Sequence, residues 1–146
     1  MSTTETDYLQ EKLEELKRGS EGDLDQSESK LKSRFHKAEI LEQLGYEEQD
    51  IKVEKSDEKG KRTDIHCNDD YGNVKVVIEF KRPEVSITEN SHKSQIFDDY
   101  MKPLKADYGI LYNGRKLIGY ERVRESSEVL FNLDADSLEG NTTQIV

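Results

Sequence analysis

Cysteine occurs once in this chain, at position 67. A lone cysteine excludes an internal disulfide and any Cys-based zinc site, and it fits a reducing cytoplasm. No apolar run approaches the roughly 18 residues that a bilayer span needs, and the N-terminus carries no signal-peptide pattern. A soluble, cytoplasmic protein with no membrane association is therefore expected. The three histidines, His36, His66 and His92, lack metal-ligand spacing and read as surface or satisfied groups. There are no internal repeats, and no helix-turn-helix with a basic second helix is present to read DNA. Apolar residues make up 32% of the chain against 37% charged, so the core is modest. The length of 146 residues suffices for one compact domain.

What is plentiful is charge, and acid predominates. The formal net charge is −10, which argues against tight independent binding of nucleic acid. The distribution qualifies this. Residues 1–58 hold 17 acids and 9 bases, and residues 125–146 hold 5 acids and no base. Residues 90–124 reverse the sign, with 4 acids and 7 bases, so one face can still accept phosphates.

Hydrophobic periodicity places the elements. Residues 1–7 read as disordered, and Tyr8–Arg18 as a short charged helix stopped by Gly19. After a polar linker, Leu31, Phe35, Ala38, Leu41 and Leu44 recur at three- and four-residue spacing and predict a helix from Ser27 to Leu44, ended by Gly45. Strands are expected at Ile51–Lys55, Arg62–Cys67 and Val74–Lys81, the last two joined by a turn-forming loop of Asp, Gly and Asn. A helix from about Ser91 to Lys102, closed by Pro103, precedes strands at Tyr108–Tyr112 and Lys116–Val123 around the turn signal Asn113-Gly114. A short helix is expected near Val129–Asn132, within an acidic tail. This order predicts an α/β domain with a mixed central sheet flanked by helices. Residues 1–26 form an N-terminal helical extension and linker, 27–124 the principal domain, and 125–146 the tail.

The chemistry concentrates in Asp64 and in Glu79-Phe80-Lys81. Alternation along a strand puts Glu79 and Lys81 on one face, with Val74, Val76, Ile78 and Phe80 on the other. A carboxylate and an ammonium at the end of an apolar strand carry a desolvation cost that calls for a partner or a purpose. Two nearby carboxylates repel unless a cation lies between them, and all-oxygen ligation suits Mg2+. Simpler readings stand beside this one. Asp64, next to Lys61 and Arg62, suits an exposed strand-end acid, and Glu79 with Lys81 suits a cross-strand ion pair on a solvated face. Glu28 suits a helix cap, since Asp25-x-x-Glu28 approximates a capping box. Tyr100 suits the core.

The ordered set of these residues resembles the PD-(D/E)XK nuclease superfamily. More closely, Glu28 to Tyr120 is similar to the N-terminal nuclease domain of type I restriction motor subunits and fused restriction–modification enzymes. The residues that carry the likeness are Glu28 opening the helix into Leu44-Gly45-Tyr46, then Asp64, then Glu79-Phe80-Lys81-Arg82-Pro83. Gln95 and Tyr100 follow on one helix, and last comes Asp107-Tyr108-Gly109-Ile110-Leu111-Tyr112-Asn113-Gly114. Thr63 stands where the superfamily name has proline, and Gln95 and Tyr100 are five apart where related nucleases have four. The resemblance implies a restriction-endonuclease-like core (αβββαβ) and hydrolysis of a DNA phosphodiester. In that scheme Asp64, Glu79 and the Phe80 backbone carbonyl hold Mg2+, with Mn2+ able to substitute. Glu28 completes the metal site directly or through water. Lys81 orients or deprotonates the attacking water, and Gln95 positions the phosphate or Lys81. His92, one turn before Gln95, is within reach of the site. Tyr100 and Arg82 are weaker candidates for positioning phosphate.

The resulting expectation is a Mg2+-dependent DNA endonuclease domain of restriction–modification type, targeted by partner methyltransferase, specificity or motor subunits. Its oligomeric state is not legible. The competing class is a catalytically silent binding or assembly module of the same fold, which the acidic surface favours and the complete acid, acid and lysine set opposes. A nuclease of RNA or single strands ranks last, because no aromatic stacking platform is evident.

Overall fold

The computed structural model describes residues 3–20, 28–43, 45–53 and 65–135. Its centre is one six-stranded sheet in the order β1-β2-β3-β4-β5-β6, from Ile51–Val53, Ile65–Asn68, Val74–Phe80, Tyr108–Tyr112, Lys116–Val123 and Ser126–Asp134. Two antiparallel three-stranded meanders meet at a parallel pairing of β3 with β4. The sheet is mixed, as the element order predicts, because the segment between β3 and β4 crosses over one face instead of turning back as a hairpin.

Helices cover both faces. On one side, α1 (Thr3–Ser20), α2 (Glu28–Lys37) and α3 (Ile40–Gln43) lie over the sheet. There Leu9, Leu13, Leu31, Phe35 and Ile40 pack with Ile65, Ile78 and Phe80. On the other side, α4 (Lys93–Ile96) runs into a π turn (Phe97–Met101) and a last α turn, α5 (Lys102–Leu104). Ile96, Phe97, Met101 and the preceding Ile87 pack there with Val77, Leu111, Ile118 and Tyr120. Gly109 on β4 permits this close approach, since a Cβ there would stand 2.7 Å from Met101 Sδ.

Several sequence expectations are corrected. The first helix begins at Thr3, within the stretch expected to be disordered, and continues through Gly19. Docking of Leu9 and Leu13 in the core outweighs the roughly 1 kcal/mol that a helical glycine costs. The second helix breaks at Ala38 and Glu39, where Glu39 takes a left-handed φ of 55°, and α3 resumes with Ile40 and Leu41 buried. Residues 126–134 are a strand and not a helix: β6 pairs with β5 along its whole length, and Gln10 Nε2 donates to the Asp134 carbonyl at 3.1 Å. A division at residue 124 therefore falls between two paired strands. Val74 joins the core of the α4 side and not the row of Val76, Ile78 and Phe80, because the β2–β3 register shifts between Cys67 and Asn68. The polar linker after α1, the loop 56–61, the helix end at Leu44 and the tail beyond 135 lie outside the described residues.

Candidate functional site

Strand β3 is apolar because both of its faces are covered, as expected for a strand at the centre of a two-layered sheet. Val76, Ile78 and Phe80 face α1–α3, and Val77 faces the α4 side. Strict alternation then puts Glu79 and Lys81 on the α4 side, where solvent hardly reaches them. Glu79 is 1% exposed and Lys81 8%. The expected solvated face is absent here. The ammonium Nζ lies 3.8 Å from Glu79 Oε1, along the same strand and not across to a neighbour. At that separation the pair is an ion pair and not a hydrogen bond.

Backbone direction adds a second oxygen. In an extended strand the N–H and C=O of one residue point to the same neighbour, and successive residues alternate. Lys81 N–H donates to the Tyr112 carbonyl at 2.9 Å, and the Lys75 carbonyl accepts from Asp107 N–H at 3.0 Å, so odd residues of β3 bond to β4. The Phe80 carbonyl therefore points the other way, toward β2. The described part of β2 begins at Ile65, paired with Ile78. Glu79 and the Phe80 carbonyl supply oxygen only, the donor type that a hard divalent cation prefers. Among the described residues, no three His, Cys, Asp or Glu side chains cluster closely enough to hold a metal ion. Asp64 and the Glu28 side chain lie outside the described residues.

The remaining candidates divide. Gln95 is half-buried on α4, beside fully buried Ile96, in the layer that covers the Glu79 face. Tyr100 is half-buried in the π turn and packs against the same core. Residues five apart on an α-helix differ by about 140° around the axis. The i→i+5 turn reduces that angle, so the extra residue between Gln95 and Tyr100 is absorbed locally. Arg82 turns outward, its Nε 2.8 Å from Glu84 Oε1. His92 is the residue before α4, and its Nδ1 is 2.9 Å from Ser91 Oγ. Leu31 reaches over Gly114, a Cβ on which would lie 3.1 Å from Leu31 Cδ2 and 3.6 Å from Pro83 Cγ. The first turns of α2 thus lie near the chain as it leaves Lys81.

Two polar residues prove buried, which their local sequence does not show. His66, taken as a surface or satisfied group, is buried opposite Val77, on the face that carries Glu79. Alternation with Ile65 and Cys67 puts His66 on the other face of β2, and nothing local shows that this face is covered too. Asn113, taken as a turn former, is also buried. An apolar cavity of about 300 Å³ among Leu41, Tyr46, Tyr108, Ile110 and Phe131 contains none of the candidate residues. The buried charges lie elsewhere, and they are the stronger guide to chemistry.

Residues 30–133 match the family described as the type I restriction enzyme R protein N terminus (HSDR_N). The chain belongs to that family. Comparison with the curated proteins and with the solved structures gives no match. As a type I restriction R-protein N-terminal domain, the chain has a role in a restriction system. The family match runs through β6, which accords with the pairing of that strand in the sheet. Among the described residues, no helix of this restriction domain is long and apolar enough to cross a membrane.

Proposed function

We propose that this chain is a Mg2+-dependent DNA endonuclease domain of the PD-(D/E)XK type, directed to its target by other domains or subunits of a restriction system. One observation carries the reading: the buried Glu79–Lys81 ion pair on one strand face, with the intervening Phe80 carbonyl turned away from β4. Burial of two charges is rarely retained for stability, since apolar residues of similar size often serve as well or better.

Asp64 directly precedes Ile65, whose partner is Ile78. The superfamily pattern assigns Asp64 as the second carboxylate of the site. Asp64, Glu79 and the Phe80 carbonyl would then hold Mg2+, with Mn2+ able to substitute and Glu28 completing the set. When bound, the cation supplies Lewis acidity toward a phosphate oxygen and toward water. Lys81 brings a positive charge into a dry site, where it acts on developing phosphate charge more strongly than in water. It also holds the attacking water by hydrogen bonding. Gln95 would position the phosphate or Lys81 from the covering helix, with Tyr100 and Arg82 as lesser phosphate contacts.

The test is cleavage of supercoiled and linear DNA in Mg2+ and in Mn2+ by the wild type, Asp64→Ala and Lys81→Ala. Metal-dependent cutting lost in both variants is the expected result. Equal activity in all three would reject the site. The net charge of −10 favours the silent assembly module as a second reading. An inactive wild type whose Mn2+ binding is unaffected by Asp64→Ala would leave that module as the better account.

A further inference from the structure

Asn113 follows β4 directly and is 3% exposed. Both ends of its carboxamide are engaged. Oδ1 accepts from Arg115 N–H at 3.0 Å and from Lys116 N–H at 2.8 Å, while Nδ2 donates to the Val85 carbonyl at 2.9 Å. Two N–H donors on one atom and a carbonyl on the other fix which end of the amide is which. The two ends therefore serve different segments. Oδ1 closes the β4–β5 turn, in which Gly114 takes a φ of 89°. Nδ2 reaches to the strap that leaves the candidate site.

That strap begins where Lys81 leaves β3. Lys81 N–H bonds to the carbonyl of Tyr112, the residue before Asn113. Consecutive residues of one strand end thus pin both ends of the segment 81–85. Inside it Val85 N–H donates to the Arg82 carbonyl at 2.9 Å, and Pro83 removes one soft dihedral. Further on, the strap is held by buried Ile87 and by Tyr120 Oη, which donates to the Glu89 carbonyl at 2.8 Å. Lys81 is the first residue beyond β3, so the ladder fixes its N–H and its face but not the path of the chain that follows it.

We propose that Asn113 is a positioning residue for Lys81: its Nδ2–H bond to the Val85 carbonyl sets the path of segment 81–85 and holds the ammonium beside Glu79. The proposal rests on reading that pair as a nuclease site, and it names a residue that acts on the site without touching substrate.

The two ends of the amide make the test selective. Asn113→Asp keeps the acceptor for Arg115 and Lys116 but sets an oxygen against the Val85 carbonyl. Asn113→Ser keeps a short acceptor for the turn and cannot reach Val85. In the full chain, each variant is read by its melting temperature, by amide hydrogen exchange at Lys81, Arg115 and Lys116, and by DNA cleavage in Mg2+. A folded variant is expected in which Lys81 exchanges about tenfold faster while Arg115 and Lys116 do not change. Cleavage should fall about a hundredfold, the scale of loss for a group displaced by an ångström. Unchanged exchange at Lys81 in a folded variant would overturn the proposal, and so would unfolding of both variants, which would assign Asn113 to the fold alone. Absence of cleavage by the wild type counts against the nuclease reading. Exchange at Lys81 then still decides the role of Asn113.

Discussion

Strand β3 has a lysine–acid pair near each end, and the two pairs contrast sharply. Lys75 Nζ lies 2.7 Å from Asp107 Oδ2, with Arg122 Nη2 3.7 Å from the other oxygen, and the Lys75 and Asp107 side chains are 41% and 47% exposed. Lys81 Nζ lies 3.8 Å from Glu79 Oε1, and those side chains are 10% and 2% exposed. The well-made contact is in water, where it contributes about 0–1 kcal/mol. The poorly made contact is in the interior, where two charges each carry several kcal/mol of desolvation that a loose pair offsets incompletely. A chain optimised for stability alone would show the reverse. Lys75 and Asp107 fasten the start of β4, an office that their backbone repeats through the bond from Asp107 N–H to the Lys75 carbonyl. Glu79 and Lys81 instead hold two charges in the interior at a separation too long for a hydrogen bond.

The largest expected difference is therefore in activity. Lys81→Met should lower DNA cleavage at least a hundredfold, within the range of about 10²–10⁴ for losing a positioned proton-transfer or charge-stabilising group. Lys75→Met should leave cleavage within about twofold, because the contacts of Lys75 are with Asp107 and the Tyr108 ring at 5.7 Å. Equal losses in the two variants, at matched melting temperatures, would erase the distinction between the two ends.

Stability should separate the pairs with the opposite sign. Replacing both interior charges, Glu79→Leu with Lys81→Met, is expected to leave stability unchanged or raise it by about 1–4 kcal/mol, while Glu79→Leu alone should cost about 3–5 kcal/mol by stranding a buried ammonium. The corresponding double replacement of Lys75 and Asp107 should cost no more than about 1 kcal/mol. Urea unfolding of the four variants checks this. An interior double variant several kcal/mol less stable than wild type would mean that the pair is there for the fold.

How much of this was legible in the sequence depends on the kind of signal. Period-two alternation put Glu79 and Lys81 on one face, and a strand length fixed by turn residues located β4 and β5 to the residue. Their burial was not legible, because alternation alone does not tell a covered face from a wet one. The break at Glu39 has no local sign, since a glutamate at positive φ is chosen by the packing of Ile40 and Leu41 and not by its own preference. Strand β6 was missed because its glutamate and asparagine suggested a solvated tail, whereas Phe131 and Leu133 gain burial only once β5 is beside them. Asn113 was recognised for its turn chemistry, but the partner of its Nδ2 is 28 residues away in sequence. Of the expected site, Glu79 and Lys81 share a face as alternation requires, with the Phe80 ring on the other, while Asp64 and the Glu28 side chain lie outside the described residues.

The smallest effect is a titration that isolates the exposed pair. The hydrogen bond to Asp107, aided by its charge, holds the Lys75 ammonium above its ordinary 10.5. A raised pKa stabilises the fold below the unfolded value, and that contribution disappears as pH climbs through the folded one. Groups that are buried act in the same direction over a wider window. Burial pushes Tyr46 and Tyr120 up to about 12 from 10.0, and Cys67 up to about 12 from 9.0. Wild-type stability should therefore decline steadily from about pH 9 upward, as the unfolded chain ionises first. The Lys75→Met curve should run slightly below the wild type at pH 8, and the two should converge only as pH climbs through the raised pKa of the folded lysine, above 10.5. At 1 M salt the gap at pH 8 should shrink, because an exposed pair is screened over about 3 Å. A gap that persists unchanged through both alkali and salt would show that Lys75 acts by packing its methylenes and not by its charge.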